Sequence, residues 1–246
     1  LYEFINFFKD SFKQYYNKNL KIYYREETEV FEDSELFSLD TLENWYLKSQ
    51  IVQNTELTEQ EIKTLKAQGS LPLGTYGDIC IENLQGELSE LTDKIEELKT
   101  GFTEKQVLIN YKVQIEDVLY VIKGNIGNVF VNNLEQLHIF SNVSKSKQKY
   151  QFEAFVNLLF LKQMWPNITL NFLWLDKKRL QSSVISNIED PLGTMKSLLA
   201  HFLASNKGLN PFYINDYISD DLLQLDPELL TEEPMGPILE KDSFLS

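Results

Sequence analysis

Asp176 and Lys178 are separated by one residue and follow a hydrophobic stretch with the β-branched and aromatic content of a strand. A Mg²⁺-dependent phosphodiesterase uses such a (D/E)-x-K pair to bind metal through carboxylate oxygens and to polarise water or phosphate with the lysine. Glu116 or Asp117 could supply a second carboxylate. The spacing therefore raises the hypothesis of a divergent Mg²⁺-dependent deoxyribonuclease. Its alternative is an ordinary charged surface turn.

The order of the predicted elements favours the surface turn. A nuclease core of this kind has its first acid on a hairpin strand and its (D/E)-x-K on the next strand, before a long helix, whereas Asp176 follows the long helix. The stretch 118–155 has the expected order of hairpin, strand and helix. The position of the first acid falls at Gly127, and the positions of the (D/E)-x-K carboxylate and lysine fall at Phe140 and Asn142. None of these side chains carries a charge that could hold a metal. We therefore predict no catalytic residues, no metal and no cofactor.

Other chemistries lack their motifs. The sequence has no GxxxxGK[ST] or GxGxxG phosphate loop and no GxSxG nucleophile elbow. The one cysteine, Cys80, lies in an apolar run, which predicts an inert thiol. The two histidines, His138 and His201, are not spaced with each other or with carboxylates as metal ligands are, which favours structural roles.

Composition limits the partners that the chain can bind by itself. A formal net charge of −14 over 246 residues repels a phosphate backbone unless cations are gathered on one face, so the isolated chain is not expected to bind nucleic acid. Acidic residues are concentrated in residues 26–35 and 216–242, as solvated surface or as a docking tail. One cysteine and no apolar run of membrane-spanning length predict a soluble, cytoplasmic protein, and the first residue, Leu1, indicates a fragment of a longer one.

The first hundred residues predict a helical portion. Aromatic residues spaced by three and four, with lysines between them, predict a first helix with a buried face: Phe4, Phe7, Phe8, Phe12, Tyr15 and Tyr16. A short strand is predicted over 20–24 and a helix over 42–52. Thr58 and Glu61 form a capping box for a third helix that ends at Gly69. A helical period then runs from residue 73 to Gly101, with a bend or a late start at Gly86.

The pattern changes to strands after residue 101. One hairpin is predicted around Glu116 and Asp117, and a second around the turn sequence GNIGN at 124–128. The further predicted elements are a strand at 137–141, a helix at 148–164, a strand at 168–175, a helix from Asp190 and Pro191 to about 208, and a strand at 212–214. This order predicts a mixed α/β fold in which helices flank a core sheet. The portions 1–100 and 101–215 and the acidic tail 216–246 can equally form one structural domain.

Two sequence blocks resemble the RecC family, the gamma chain of exodeoxyribonuclease V, in its C-terminal region. The first is FFKDSFKQYYNKNLKIYYREETEVFEDSELFSLDTLENWYL, with an aromatic helix, a double-glutamate loop and an LFxLDxL run. The second is LPLGTYGDICIE, which is similar to the family's LPxGxxGxxxxE through Leu71, Pro72, Gly74, Gly77 and Glu82. The later order of helices and strands also fits, so the resemblance covers about residues 2–214. The acidic tail is not a feature of the family.

The resemblance implies a restriction-endonuclease-like core of the PD-(D/E)xK type that has lost its catalytic residues. It implies no enzyme in this chain alone, but a subunit of the ATP-dependent helicase-nuclease RecBCD, with RecB-like and RecD-like partners and forked DNA. The implied role is to hold the complex together and to guide or split DNA in double-strand break repair and homologous recombination. Gln151 and Phe155 are spaced like the QxxxY pair that lies beside the active site in active relatives.

Candidate DNA contacts follow from this implied role. They are the hairpin residues from Lys123 to Asn128, Asn125 among them, and the loop and helix lysines Lys145, Lys147 and Lys149. The alternative for these lysines is a solubilising surface. For the whole chain, a protein-interaction platform without DNA contact remains the third hypothesis.

Overall fold

A computed structural model describes residues 1–23, 39, 41–54, 57–72, 74–115, 117–144, 147–205, 208 and 212. The two acidic segments, Glu116, Lys145 and residues 213–214 of the last predicted strand lie outside the described residues. No helix in the described ranges is long and apolar enough to cross a membrane.

Five strands form a single sheet in the order β1-β2-β3-β4-β5, with helices on both faces. Neighbouring strands are antiparallel except β3 and β4, which are parallel and are joined by a helix, as a parallel crossover requires. The elements are α1 (Tyr2–Lys9), α2 (Ser11–Tyr15), a π-helical turn (Tyr16–Leu20), α3 (Thr41–Asn54), α4 (Glu59–Ala67), α5 (Thr75–Lys99), β1 (Thr103–Ile115), β2 (Val118–Val131), β3 (Gln136–Asn142), α6 (Lys147–Lys162), β4 (Thr169–Asp176), β5 (Arg179–Ile185) and α7 (Pro191–Ala204). The mixed α/β class is therefore confirmed.

The sheet separates two hydrophobic cores. On one face α6 lies against β3 and β4 and is covered by α1 and α7, and on the other face α3 and α5 pack together. Phe172 on β4 belongs to the first core and its neighbour Leu173 belongs to the second, as the alternation of a strand requires. Helix α6 is buried on every side from Ala154 to Lys162, which explains why this part is apolar around almost its whole circumference.

The aromatic N-terminal segment is only partly as predicted, and the strand after it is wrong. Asp10 divides the predicted single helix into α1 and α2, and Tyr16 is exposed instead of buried. Phe4, Phe7 and Phe8 are buried in the α6-side core.

The strand predicted over 20–24 is not formed in its described part: Leu20 ends a π-helical turn over Tyr16–Leu20, residues 21–23 belong to no strand, and Tyr24 lies outside the described residues. The amide N–H of Ile22 donates to the carbonyl oxygen of Tyr16 at 3.0 Å. Because this hydrogen bond closes the turn locally, the segment needs no partner strand, and Lys21 ends it in a left-handed conformation.

The capping box of α4 is confirmed, and α5 is longer than one alternative predicted. Thr58 and Glu61 exchange hydrogen bonds at the start of α4, and Gly69 follows its end with a φ of 75°. Helix α5 begins at Thr75 and runs without a break through Gly86, so a late start is wrong. Gly86 is exposed and has open space around it. The free-energy cost of a glycine inside a helix is offset by the packing of the buried positions on either side.

The predicted hairpin around GNIGN is wrong, because this sequence lies inside the continuous strand β2. Lys105 pairs with Val129 and Val107 pairs with Ile126, so two residues of β2 bulge opposite one residue of β1. Asn128, with a φ of 53°, supplies the left-handed residue of this bulge instead of a chain reversal. The β2–β3 reversal occurs at 132–135, where the Asn132 side chain accepts hydrogen bonds from two backbone N–H groups.

Strand β5 was not predicted from the sequence. Asp176 pairs with Arg179, so only Lys177 and Lys178 form the turn between β4 and β5. Their φ values are 47° and 67°, which a two-residue hairpin turn of the primed type requires. Neither residue is the Asn or Gly that signals such a turn, and the polar strand RLQSSVI lacks a strong apolar alternation.

Candidate functional site

The C-terminal ends of the parallel strands β3 and β4 meet the first turn of α6. On this face, four rings form a continuous row, which we call the aromatic row: His138, Phe140, Phe172 and Trp174. Their centroids lie 6.0, 5.9 and 5.4 Å apart in that order, within the range of favourable ring contacts. Phe140 and Phe172 are directly paired across the two strands.

Lys147, the first residue of α6, lies over the last ring of this row. Its Nζ is 4.3 Å from the centroid of the Trp174 ring, a distance at which the ring face attracts a cation. This contact places the start of α6 on the end of β4. It also holds one ammonium group at a fixed place on the edge of the sheet.

The positions where a nuclease would have its carboxylate and lysine carry other roles here. Phe140 is part of the aromatic row. The buried Asn142 side chain donates to the carbonyl oxygen of Ser144 and accepts from its N–H, both at 2.9 Å, and so fixes the loop that leads to α6. Gly127 lies in the bulge of β2, next to β3 but beyond the last paired residues.

Gln151 and Phe155 are both buried on α6 and, being four residues apart, lie on the same side of the helix. Helix α6 packs against β3 and β4, so this pair belongs to the same layer as the aromatic row. Phe155 is part of the α6-side core.

His138 is buried as a neutral ring. Burial lowers its pKa to about 4. Its Nδ1 lies 3.2 Å from the carbonyl oxygen of Asn128, and because a carbonyl can only accept, Nδ1 carries the proton. Among the described residues, its Nε2 has no hydrogen-bond partner. His138 therefore ties β3 to the bulge of β2, which is a structural role.

The carboxylates of the hydrolytic hypothesis are not gathered in one place. Asp176 is exposed beside the β4–β5 turn, and Asp117 lies in the β1–β2 turn, with β3 between the two hairpins. Lys178 points towards α5, where its Nζ is 3.8 Å from a carboxylate oxygen of Glu87. Within the described residues, no three His, Cys, Asp or Glu side chains form a group that could hold a metal ion.

The predicted DNA contacts fall in two regions. Lys123 and Asn125 are exposed on β2, in the long β1–β2 hairpin, and Lys147 is on the aromatic row. Lys149 is exposed on the side of α6 that carries Glu153, whose partner is Lys9 on α1. The sequence analysis did not single out two further exposed cations, Lys112 on β1 and Arg179 on β5. Their exposure could be predicted only from their positions in the strands. That prediction needs the correct register of β1 and the presence of β5, which was not predicted.

The other face of the sheet has an open cavity of about 300 Å³. It lies between α3, α5 and the bulged part of β2, and it is lined by hydroxyl, amide and apolar side chains together with the ammonium group of Lys99. Lys99 is paired with Glu96 at 3.0 Å, so its charge is already balanced.

The family described as the RecC C-terminal domain matches this chain over residues 1–215. The chain belongs to the RecC C-terminal domain family. Among curated relatives, the RecBCD enzyme subunit RecC of Haemophilus influenzae is 27% identical over 95 residues, which are 38% of this chain and 8% of that protein. The RecBCD enzyme subunit RecC of Buchnera aphidicola is 29% identical over 130 residues, 50% of this chain and 12% of that protein.

These matches span only a small part of the length of the two RecC proteins. A solved structure titled "Crystal structure of SSO0001" is similar with a TM-score of 0.33 and 13% identity, over 65% of this chain and 84% of that chain. At that TM-score the likeness supports no statement about fold or function.

The second sequence block that resembles RecC, LPLGTYGDICIE, forms the connection between α4 and α5 and the first turns of α5. Leu71 is buried, and a Cβ atom on Gly77 would clash with the carbonyl oxygen of Pro72, so only glycine allows this close approach. Gly74 precedes α5 with a φ of 65°, and Lys66 donates to its carbonyl oxygen at 3.0 Å. This part of the RecC resemblance thus has a structural role, because it allows the chain to turn and pack closely between α4 and α5.

Proposed function

We propose that this RecC-type domain has an endonuclease-like fold without hydrolytic activity and works as part of a subunit of a RecBCD-type helicase-nuclease. In this proposal it holds RecB-like and RecD-like subunits in place and guides or splits forked DNA during double-strand break repair in the cytoplasm. The domain needs no cofactor of its own, because the nucleolytic chemistry belongs to a partner subunit.

The observation that supports the proposal most strongly is which side chains occupy the ends of β3 and β4. The two positions that would supply a carboxylate and a lysine are a ring of the aromatic row, Phe140, and a loop-fixing amide, Asn142. Both side chains are committed to packing or hydrogen bonds. Recovering a metal site would require breaking the β3–α6 loop and the row together.

The role in guiding DNA is supported by the β1–β2 hairpin. Its strands carry Lys105, Lys112 and Lys123, and no acidic residue lies between Lys105 and Ile115 or between Val118 and Val131. In a chain with a net charge of −14, such a stretch is where a phosphate backbone meets the least repulsion. Lys123, Asn125, Lys145 and Lys149 remain proposed contacts within this role, and so does Lys147.

We also infer that the helical portion, residues 1–100, and the α/β portion, residues 101–215, fold as one unit. Phe8 contacts Phe152, and Phe4 contacts Phe160, with centroids 5.1 and 6.2 Å apart. These rings come from α1 and α6, so both portions contribute side chains to the same core.

The test is DNA cleavage by the full-length subunit that contains this domain, purified without its partners. Linear and circular DNA should stay intact with Mg²⁺ or Mn²⁺. Metal-dependent cleavage that Asp176→Ala abolishes would establish the divergent nuclease instead. The protein-interaction platform would be favoured if the assembled complex is fully active and its binding to a fork does not depend on this domain.

A further inference from the structure

The turn between β4 and β5 carries two lysines in backbone conformations that suit other residues. Lys177 and Lys178 have positive φ values of 47° and 67°, a region that Asn and Gly adopt at lower cost. Both side chains are exposed. The two-residue turn requires these φ values, so the presence of lysine, which adopts them at a cost, points to a use for the side chains themselves.

The residues next to this turn fall on the α6 face of the sheet in alternation. Leu175 and Leu180 pack against the α5-side core and are paired across the two strands. Their neighbours Asp176 and Arg179, also paired with each other, therefore face the α6 side. Arg179 is exposed there.

Lys147 reaches this same edge from the helix layer. Its ammonium group lies on the ring of Trp174, two residues before Asp176. We call the three cations Lys147, Lys177 and Arg179 the basic edge. Asp176 is the carboxylate next to it, while Lys178 is turned towards Glu87 on the α5 side.

We propose that the basic edge binds the phosphate backbone of one DNA strand in the assembled complex. This proposal rests on the proposed function, because it names the surface through which the domain would guide DNA. The edge is one helix turn and one hairpin wide, so it can follow one strand of a fork and not both strands of a duplex. Binding does not depend on base sequence, because the three cations would contact phosphate groups and not the edges of bases.

The experiment measures how salt affects binding of the full complex to a fork with single-stranded tails. In the edge variant, Lys147→Gln, Lys177→Asn and Arg179→Gln remove three charges, and Asn at 177 suits the positive φ. The slope of log affinity against log salt should become less steep by about 2, at roughly 0.7 per single-strand phosphate contact. Binding to a blunt duplex should change less. Thermal unfolding of each variant checks that the fold is retained.

Two further variants make the outcome decisive. Lys63→Gln on α4 removes an exposed charge far from the basic edge and should leave the slope unchanged. The hairpin variant Lys112→Gln/Lys123→Gln tests the other basic region. An unchanged slope in the edge variant, with a reduced slope in the hairpin variant, overturns the basic edge but leaves the proposed function. Unchanged slopes in both variants overturn the DNA-guiding role as well.

Discussion

The two faces of the sheet differ in both charge and shape. Helix α5, on one face, is amphipathic and carries seven acidic residues and two lysines in 25 positions. Helix α6, on the other face, is buried from Ala154 to Lys162. Two of its three lysines, Lys147 and Lys149, lie in its first turn, where Lys149 is exposed. The same sheet therefore presents an acidic surface on the α5 side and a small basic surface at one edge of the α6 side. Of these two surfaces, the second repels phosphate less.

The difference also explains how each face is stabilised. The α5 face is covered by one amphipathic layer with an open cavity at its end. The α6 face is a closed core of rings, in which α1, α6 and α7 interlock. We expect the α6 face to tolerate substitution less, since close-packed interiors respond to every lost group.

Phe160→Ala should give the largest effect. Phe160 contacts Phe4 and Tyr111 with ring centroids 6.2 and 5.8 Å away. Its loss should lower the free energy of unfolding by about 3–5 kcal/mol in urea denaturation, because the surrounding helices cannot close the cavity. Leu192→Ala, at an exposed position of α7, is the control and should change little. A loss below about 1 kcal/mol for Phe160→Ala would contradict the closed core.

Acid should destabilise the α6 face through His138. Because its pKa is lowered to about 4 in the folded state, the unfolded chain binds the extra proton first, and this contribution to stability is lost as the pH falls from 6.5 to 4. The loss should reach about 3 kcal/mol at pH 4. The measurement compares urea unfolding of the wild type and His138→Gln at pH 7 and pH 4. Equal pH dependence in the two proteins would show that His138 is not buried as a neutral ring.

The two faces should respond differently to the loss of a lysine. Lys162 at the end of α6 is buried, and its Nζ donates to the carbonyl oxygens of Pro166, Ile168 and Ser186 at 2.9–3.3 Å. Lys162→Met should cost about 2 kcal/mol, because these carbonyls lose their donor. Lys99→Met on α5 should cost less than about 1 kcal/mol, because its ion pair is solvent-screened. Equal costs in chemical denaturation would remove this contrast.

Lys178→Gly should give the smallest effect and the opposite sign. Glycine adopts the φ of 67° without strain, so stability should rise by about 0.5–1 kcal/mol. Gly101→Ala, at a φ of 82° before β1, is the matched control and should lower stability by about 1 kcal/mol. Thermal unfolding measures both. A destabilised Lys178→Gly would mean that the weak contact with Glu87 outweighs the backbone strain.

The sequence predicted those elements whose signals are local. The capping box of α4, the Asp190–Pro191 start of α7 and the period of α5 each depend on neighbouring residues, and the structure has all of them. The GNIGN sequence misled because Gly and Asn mark bulges as well as turns, and only pairing with β1 distinguishes them. Strand β5 has neither apolar alternation nor a turn signal, so its place follows from pairing with β4.

The same limit applies to the candidate site. The absence of charge at Phe140 and Asn142 could be read from the sequence, but the aromatic row could not. Its rings come from two strands that are adjacent in the sheet but separated along the chain by a loop and the whole of α6. The basic edge depends on the contact between Lys147 and Trp174 and on an unpredicted hairpin, both of which are tertiary features.

Photo-crosslinking in the full complex tests most directly whether DNA meets the α6 side and not the α5 side. Benzoylphenylalanine is placed at Gln181, exposed and paired with Trp174, or at Asp93, exposed on α5. The complex is then irradiated with a fork that carries labelled single-stranded tails. We predict a crosslink to one tail from position 181 and none from position 93. A crosslink from position 93 alone would contradict the account.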